Sequence, residues 1–232
     1  MPKLLTQCKY AIVLVRTSER TPLMSVLLEG PAHSGKTAIA AKMAVESGFP
    51  FVRMISADEM IGYSDISKCQ AIHRAFMDSY KSPLSLIFID DIERIIDYVS
   101  IGPRFSNTVL QTLLVLLKKI PPDDGRRLLV VGTTSVPHLL EDLGLSQAFS
   151  VGLHVGLLDQ PEWIKTVLKE SANVTDTDAG SIANAIVKPI GIKQLLMVAE
   201  MASHDPDQRG KQSGANSVDT NVFLECLHNV GY

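Results

Sequence analysis

The sequence predicts an α/β protein: a parallel sheet with helices on both faces, followed by a small all-helical domain. Three observations carry that expectation. Short apolar runs alternate with helical segments through the first two thirds of the chain, the pattern of a parallel sheet. The run Leu84-Ser85-Leu86-Ile87-Phe88-Ile89 is apolar without interruption, as in a strand buried on both faces. From Gln160 onward strand-like runs stop and only helical segments follow.

The elements are expected in this order. Residues 25–29 form the first strand, and 37–47, rich in Ala, Lys, Met and Glu, form a helix. A strand over 51–55 and a helix over 66–80 precede the apolar strand at 84–89. A long helix over 105–119 stops at Pro121-Pro122. Strands at 128–132 and 151–155 complete the sheet, and helices follow near 162–171, 179–187, 192–203 and 218–228. The polar, Gly-containing stretch 205–217 reads as a loop. The change of character near Gln160 separates an α/β domain over 21–158 from a helical domain over 159–232.

Composition narrows the function classes. The chain has 232 residues and is 46% apolar, enough for a sizeable core. A net charge of −3 with no basic stripe argues against nucleic acid held by bulk electrostatics. Three widely spaced cysteines, Cys8, Cys69 and Cys226, suit reduced thiols in the cytoplasm better than a disulfide framework or a zinc site. No apolar run approaches the ~20 residues needed to cross a bilayer.

The stretch Gly30-Pro31-Ala32-His33-Ser34-Gly35-Lys36-Thr37 fits G-x-x-x-x-G-K-[ST] between a strand and a helix. Gly30 and Gly35 let the backbone curl so that its N–H groups surround phosphate oxygens at the positive end of a helix. Pro31, Ala32, His33 and Ser34 complete the cradle, and Ala38 continues it into the helix. Lys36 would reach the β- and γ-phosphates, and the Thr37 hydroxyl would ligate Mg²⁺. His33 reads as a spacer rather than a base. A second site follows from the carboxylates Asp90-Asp91 at the end of the apolar strand. One carboxylate there can order the Mg²⁺ shell, a role suited to Asp90, and its neighbour Asp91 can polarise the attacking water.

These residues resemble AAA ATPases, and within them the second ATPase domain of the vesicle-fusing type. The resemblance rests on Arg20-Thr21-Pro22-Leu23, on Gly30 to Thr37, on Met60-Ile61-Gly62 and on Asp90-Asp91-Ile92-Glu93-Arg94. It extends through Ile101-Gly102-Pro103-Arg104-Phe105-Ser106-Asn107, residues 113–119 and Gly191-Ile192-Lys193. It implies an AAA fold with a helical lid, ATP and Mg²⁺ as cofactors, and a ring of six copies. It also implies disassembly of SNARE complexes with an adaptor, in the cytoplasm at transport membranes. Such machines carry further modules upstream, so residues 1–20 are read as an extension or a truncated remnant. The tail from Gly210 matches poorly.

The same resemblance implies slow turnover. The usual Asp-Glu pair is Asp90-Asp91 here, which draws the second carboxylate back by roughly one C–C bond. A misplacement on the order of 1 Å at a reacting centre can cost about a hundredfold in rate. The sensor position falls on Ser135, shorter than the usual Asn. Where an arginine finger is expected, the chain has Ala148-Phe149-Ser150. A Lys at position 193 is implied to lean over the nucleotide from the lid. Lys118 and Lys119 either send a cation to a neighbouring copy or cap a helix end. Met60 and Ile61 stand at the central-pore position of polypeptide-pulling rings, or pack into the core.

Overall fold

A computed structural model describes residues 2–102, 104–122, 125–172, 174–203 and 220–230. Contacts divide the chain into two units: Met1–Gly30 with Lys36–Val155, and Pro31–Gly35 with Gly156–Tyr232.

The first unit opens with α1 (Pro2–Thr17), a helix absent from the sequence-based expectation. Strand β1 (Leu23–Glu29) and α2 (Lys36–Ser47) flank the phosphate loop, and β2 (Phe51–Ile55) follows. Next come α3 (Asp65–Ser79), β3 (Leu84–Ile89), the single turn α4 (Ile92–Ile95) and α5 (Asn107–Leu116). Strand β4 (Arg127–Thr134), α6 (Pro137–Asp142) and β5 (Val151–His154) complete it. The strands pair in the order β2-β3-β4-β1-β5, and every pairing is parallel.

Alternation along the strands sends successive side chains to opposite faces. Val26, Leu28, Leu86, Phe88, Leu129 and Val131 pack with α1 and α2 on one face. Leu27, Ile87, Ile89, Leu128 and Val130 pack with α3 and α5 on the other. Both faces are covered, which explains why β1, β3 and β4 are apolar almost throughout. In α1, Cys8, Ala11, Ile12 and Val15 are buried at helical spacing. Burying Ile12 and Val15 contributes about 2 kcal/mol each. The helix is also held at its end: Arg16 donates to Ser47 O and stacks on Phe49, while Arg127 donates to Arg16 O.

Side-chain caps set several helix starts. The Ser64 hydroxyl accepts from Ser67 N–H at the start of α3, and that of Ser106 from Val109 N–H at the start of α5. The Ser106 cap is why α5 begins two residues later than the apolar pattern alone implies, and the helix ends at Leu116 rather than at Lys119.

The second unit contains α7 (Pro161–Ser171), α8 (Asp176–Ala185), α9 (Ile192–Ser203) and α10 (Thr220–Asn229). Ile164, Leu168, Ile182, Leu195, Val198, Phe223 and Leu227 are buried. Lys165 and Lys169 of α7 reach Asp176 at the start of α8, at 3.0 and 2.7 Å. The stretch expected to be a loop, 205–217, lies outside the described residues, as does the poorly matching tail up to residue 219.

Candidate nucleotide site

In the first unit the site is built where β1, β3 and β4 end. Gly30 follows β1 with φ 153°, and its N–H donates to Thr134 O at 3.3 Å. A Cβ on Gly30 would stand 2.1 Å from the carbonyl oxygen of Val155, so no side chain fits. Lys36, at the start of α2, is 5% exposed and donates from Nζ to Gly30 O at 2.9 Å. It thus closes the base of the loop. Burial pulls the Lys36 ammonium below its usual range, against the opposite pull of Asp91, Glu93 and Asp90.

One residue on, Thr37 Oγ1 donates to Asp90 Oδ1 at 3.0 Å. Neighbouring ligands of an octahedral Mg²⁺ at about 2.1 Å stand about 3 Å apart, so this oxygen pair suits that ion. Asp90 Oδ1 also accepts from Thr133 Oγ1 at 2.7 Å, which fixes its rotamer. Ala38 is exposed on the first turn of α2.

Asp91 is half-buried and sits in the left-handed region, φ 48° and ψ 66°. Its N–H donates to Thr133 Oγ1 at 2.8 Å, and its Oδ2 lies 3.4 Å from Arg94 Nε. Burial, then Glu93 and Asp90, push its carboxyl above the ordinary carboxylate range; Arg94 and Lys36 oppose them. Ser135 is half-buried just past β4, and its N–H donates to Glu93 Oε1 at 2.9 Å. Lys36, Thr37, Asp90, Asp91 and Ser135 therefore share one end of the sheet.

In the second unit the loop Pro31–Gly35 meets the start of α9. His33 has φ 66° and Gly35 φ 96°. The Lys193 N–H donates to His33 O at 3.3 Å. A Cβ on Gly191 would approach His33 Cβ and O to 2.9 Å, and one on Gly35 would meet Ile192 Cγ2 at 2.9 Å. Ser34 is 1% exposed, and its Oγ is buried with no hydrogen-bond partner among the described residues. The Lys193 side chain is exposed. Within this unit, a cradle with no room for a Cβ at Gly35 or Gly191, an orphaned hydroxyl and an exposed lysine fit phosphate oxygens.

Two residues of the site were not singled out from sequence, Thr133 and Glu93. Glu93 stood in the Asp90–Arg94 string, yet the partners of both lie more than forty positions away. Other candidates resolve differently. Ser150, at the arginine-finger position, is paired with Ser25: its N–H donates to Ser25 Oγ at 2.9 Å. Lys118 and Lys119 are exposed beyond the end of α5. Met60 is buried in the core, whereas Ile61 beside it is 80% exposed. Among the described residues no group of three or more His, Cys, Asp or Glu could hold a metal, so a bound Mg²⁺ would share its shell with phosphate and water.

Residues 26–157 match the family described as ATPase family associated with various cellular activities, AAA. The chain belongs to the AAA family. It is 44% identical over 216 residues to a vesicle-fusing ATPase of Arabidopsis thaliana, covering 92% of this chain and 29% of that protein. It is 41% identical over 198 residues to the vesicular-fusion protein SEC18 of Saccharomyces cerevisiae, covering 83% and 26% respectively. The chain thus spans under a third of the length of these relatives. Among solved structures, the FIGL-1 AAA domain in complex with ADP superposes with a TM-score of 0.70 at 22% identity, over 97% of this chain and 81% of that one. That likeness establishes the fold: an AAA domain with a five-stranded parallel sheet.

Proposed function

We propose that this chain is an ATP-binding AAA domain of a vesicle-fusing ATPase, in which Mg-ATP stabilises a ring of six copies and is hydrolysed slowly. The observation that carries the reading is the pair of bonds Lys36–Gly30 and Thr37–Asp90 at the end of the sheet. Gly30, Pro31, Ala32, His33, Ser34, Gly35, Lys36, Thr37 and Ala38, one continuous stretch of sequence, would hold phosphate oxygens. Thr37 and Asp90 would ligate Mg²⁺, which neutralises charge on the transferring phosphoryl group. Lys193, bonded through its backbone to His33, supplies a compact cation next to that loop. Asp91 and Ser135 take the water-positioning and sensor roles.

Slow hydrolysis is supported by three features. Asp91 is a short carboxylate, Ser135 a short polar group, and Ser150 is engaged with Ser25 where an arginine would otherwise serve a neighbour. A finger of that kind is worth about 10³–10⁵ in related phosphoryl transfer. Similarity to the vesicle-fusing ATPases supports action on SNARE complexes with an adaptor, through parts of the machine other than this domain, in the cytoplasm at transport membranes. No helix among the described residues is long and apolar enough to cross a membrane.

Sedimentation velocity with and without Mg-ATP tests the ring. A hexamer-sized species that forms only with nucleotide is expected; a monomer carrying bound ATP would overturn the assembly role. Turnover is tested by Asp91→Glu. The Asp91 backbone is held by Thr133, so a Glu side chain starts from the same point and reaches one bond farther. Phosphate release is expected to rise about tenfold. An unchanged rate would move the limit from this carboxylate to the missing arginine.

A further inference from the structure

Glu93 has no part in the reading above, yet it is the most thoroughly buried carboxylate of the site. It lies on α4, is 8% exposed, and accepts the Ser135 N–H on Oε1 at 2.9 Å. Its Oε2 is buried with no hydrogen-bond partner among the described residues. Burying a carboxylate with one oxygen unsatisfied costs several kcal/mol, so its place there needs a compensating use.

Geometry supplies that use. The ladder between β3 and β4 ends at Ile89 opposite Gly132. Beyond it lie the turn carrying Asp90 and Asp91 and, past the end of β4 at Thr134, the turn carrying Ser135. Side chains join them: Thr133 Oγ1 bridges Asp90 Oδ1 and Asp91 N–H, and Glu93 Oε1 takes Ser135 N–H. Asp91 has left-handed backbone angles, which few L-residues adopt unless their surroundings impose them. We propose that Glu93 is a positioning residue of the hydrolytic centre, clamping the Ser135 turn to the Asp91 turn through one hydrogen bond. It touches neither phosphate nor metal in this role. It sets the separation of the two side chains that would face the attacking water. The proposal deepens the hydrolase reading and rests on it.

Two variants separate the hydrogen bond from the charge. Glu93→Gln keeps an oxygen at the same reach and removes the charge. Glu93→Asp keeps the charge and withdraws the oxygen by about one C–C bond, enough to break a 2.9 Å contact. For Glu93→Asp, kcat is expected to fall about thirtyfold, while the Kd for Mg-ATP moves by less than about threefold. Amide hydrogen exchange at Ser135 should accelerate in the same variant. Glu93→Gln should keep most of both properties. The proposal is overturned if Glu93→Asp leaves kcat and Ser135 exchange at wild-type values, or if Glu93→Gln loses as much as Glu93→Asp. A wild-type chain that binds ATP without hydrolysing it would sink the hydrolase reading alone. Exchange at Ser135 in the two variants would still decide whether the clamp exists.

Discussion

Lys36→Ala is expected to raise the Kd for Mg-ATP about a hundredfold or more, measured by calorimetry or a fluorescent analogue. The ammonium is buried and bonded to Gly30 O at 2.9 Å, at the start of the loop. A charge-assisted bond to phosphate from a buried ammonium contributes up to about 3 kcal/mol, which corresponds to about two orders of magnitude in affinity. The substitution also leaves Gly30 O without that donor. A further loss of about 1 kcal/mol in stability is expected without nucleotide. Lys36→Arg should not restore binding, because a planar fork needs room that a 5% exposed position lacks. An Ala variant that binds Mg-ATP with wild-type affinity would remove the phosphate loop from the site altogether.

Gly30→Ala should be the most destabilising single substitution in the loop, with a loss of about 3–5 kcal/mol. The new methyl would stand 2.1 Å from Val155 O, a backbone atom that cannot swing aside as a flexible side-chain end would. Val155 N–H donates to Glu29 O at 2.7 Å, and Gly30 N–H to Thr134 O at 3.3 Å. Relief of the clash therefore pulls β1 away from one neighbour or the other. Thermal unfolding is expected to drop by about 10 °C for a domain of this size. Gly152→Ala is the control: its nearest neighbour would be Glu29 Oε1 at 3.9 Å, so a change within about 0.5 kcal/mol is expected. Equal melting temperatures for the two variants would refute the steric argument.

Much of the first unit was legible before any coordinates. A strand buried on both faces announces itself as an uninterrupted apolar run, and β3 falls on the residues expected of it, as does the more exposed edge strand β2. The phosphate loop was legible because its requirement is local: two glycines, a lysine and a hydroxyl in fixed order. Helix α1 was not. Its buried face includes Cys8 and Ala11, small residues with weak apolar contrast, and no acidic residue in its first turn announces a start. Nor could spacing reveal Thr133 and Glu93, whose importance comes from bonds across two strand ends. The left-handed backbone of Asp91 belongs to the same class. A carboxylate can be read from a string, but not the direction in which a neighbouring hydroxyl turns it.

The position of β1 has a consequence for biosynthesis. Among the five strands of this sheet it is the first in chain order, yet its neighbours, β4 and β5, are the last two. Val26 pairs with Val131 and with Val151, so no nascent chain that stops short of those residues can hold β1 between partners. Long-range pairing of this kind slows folding and leaves strand edges exposed meanwhile. During translation the Gly30–Thr37 segment thus emerges long before Thr134 and Val155, the carbonyls that shape its entrance, exist to receive it. Helix α1 packs on the same side of β1 and emerges ahead of it, so it can shield that apolar face through the interval.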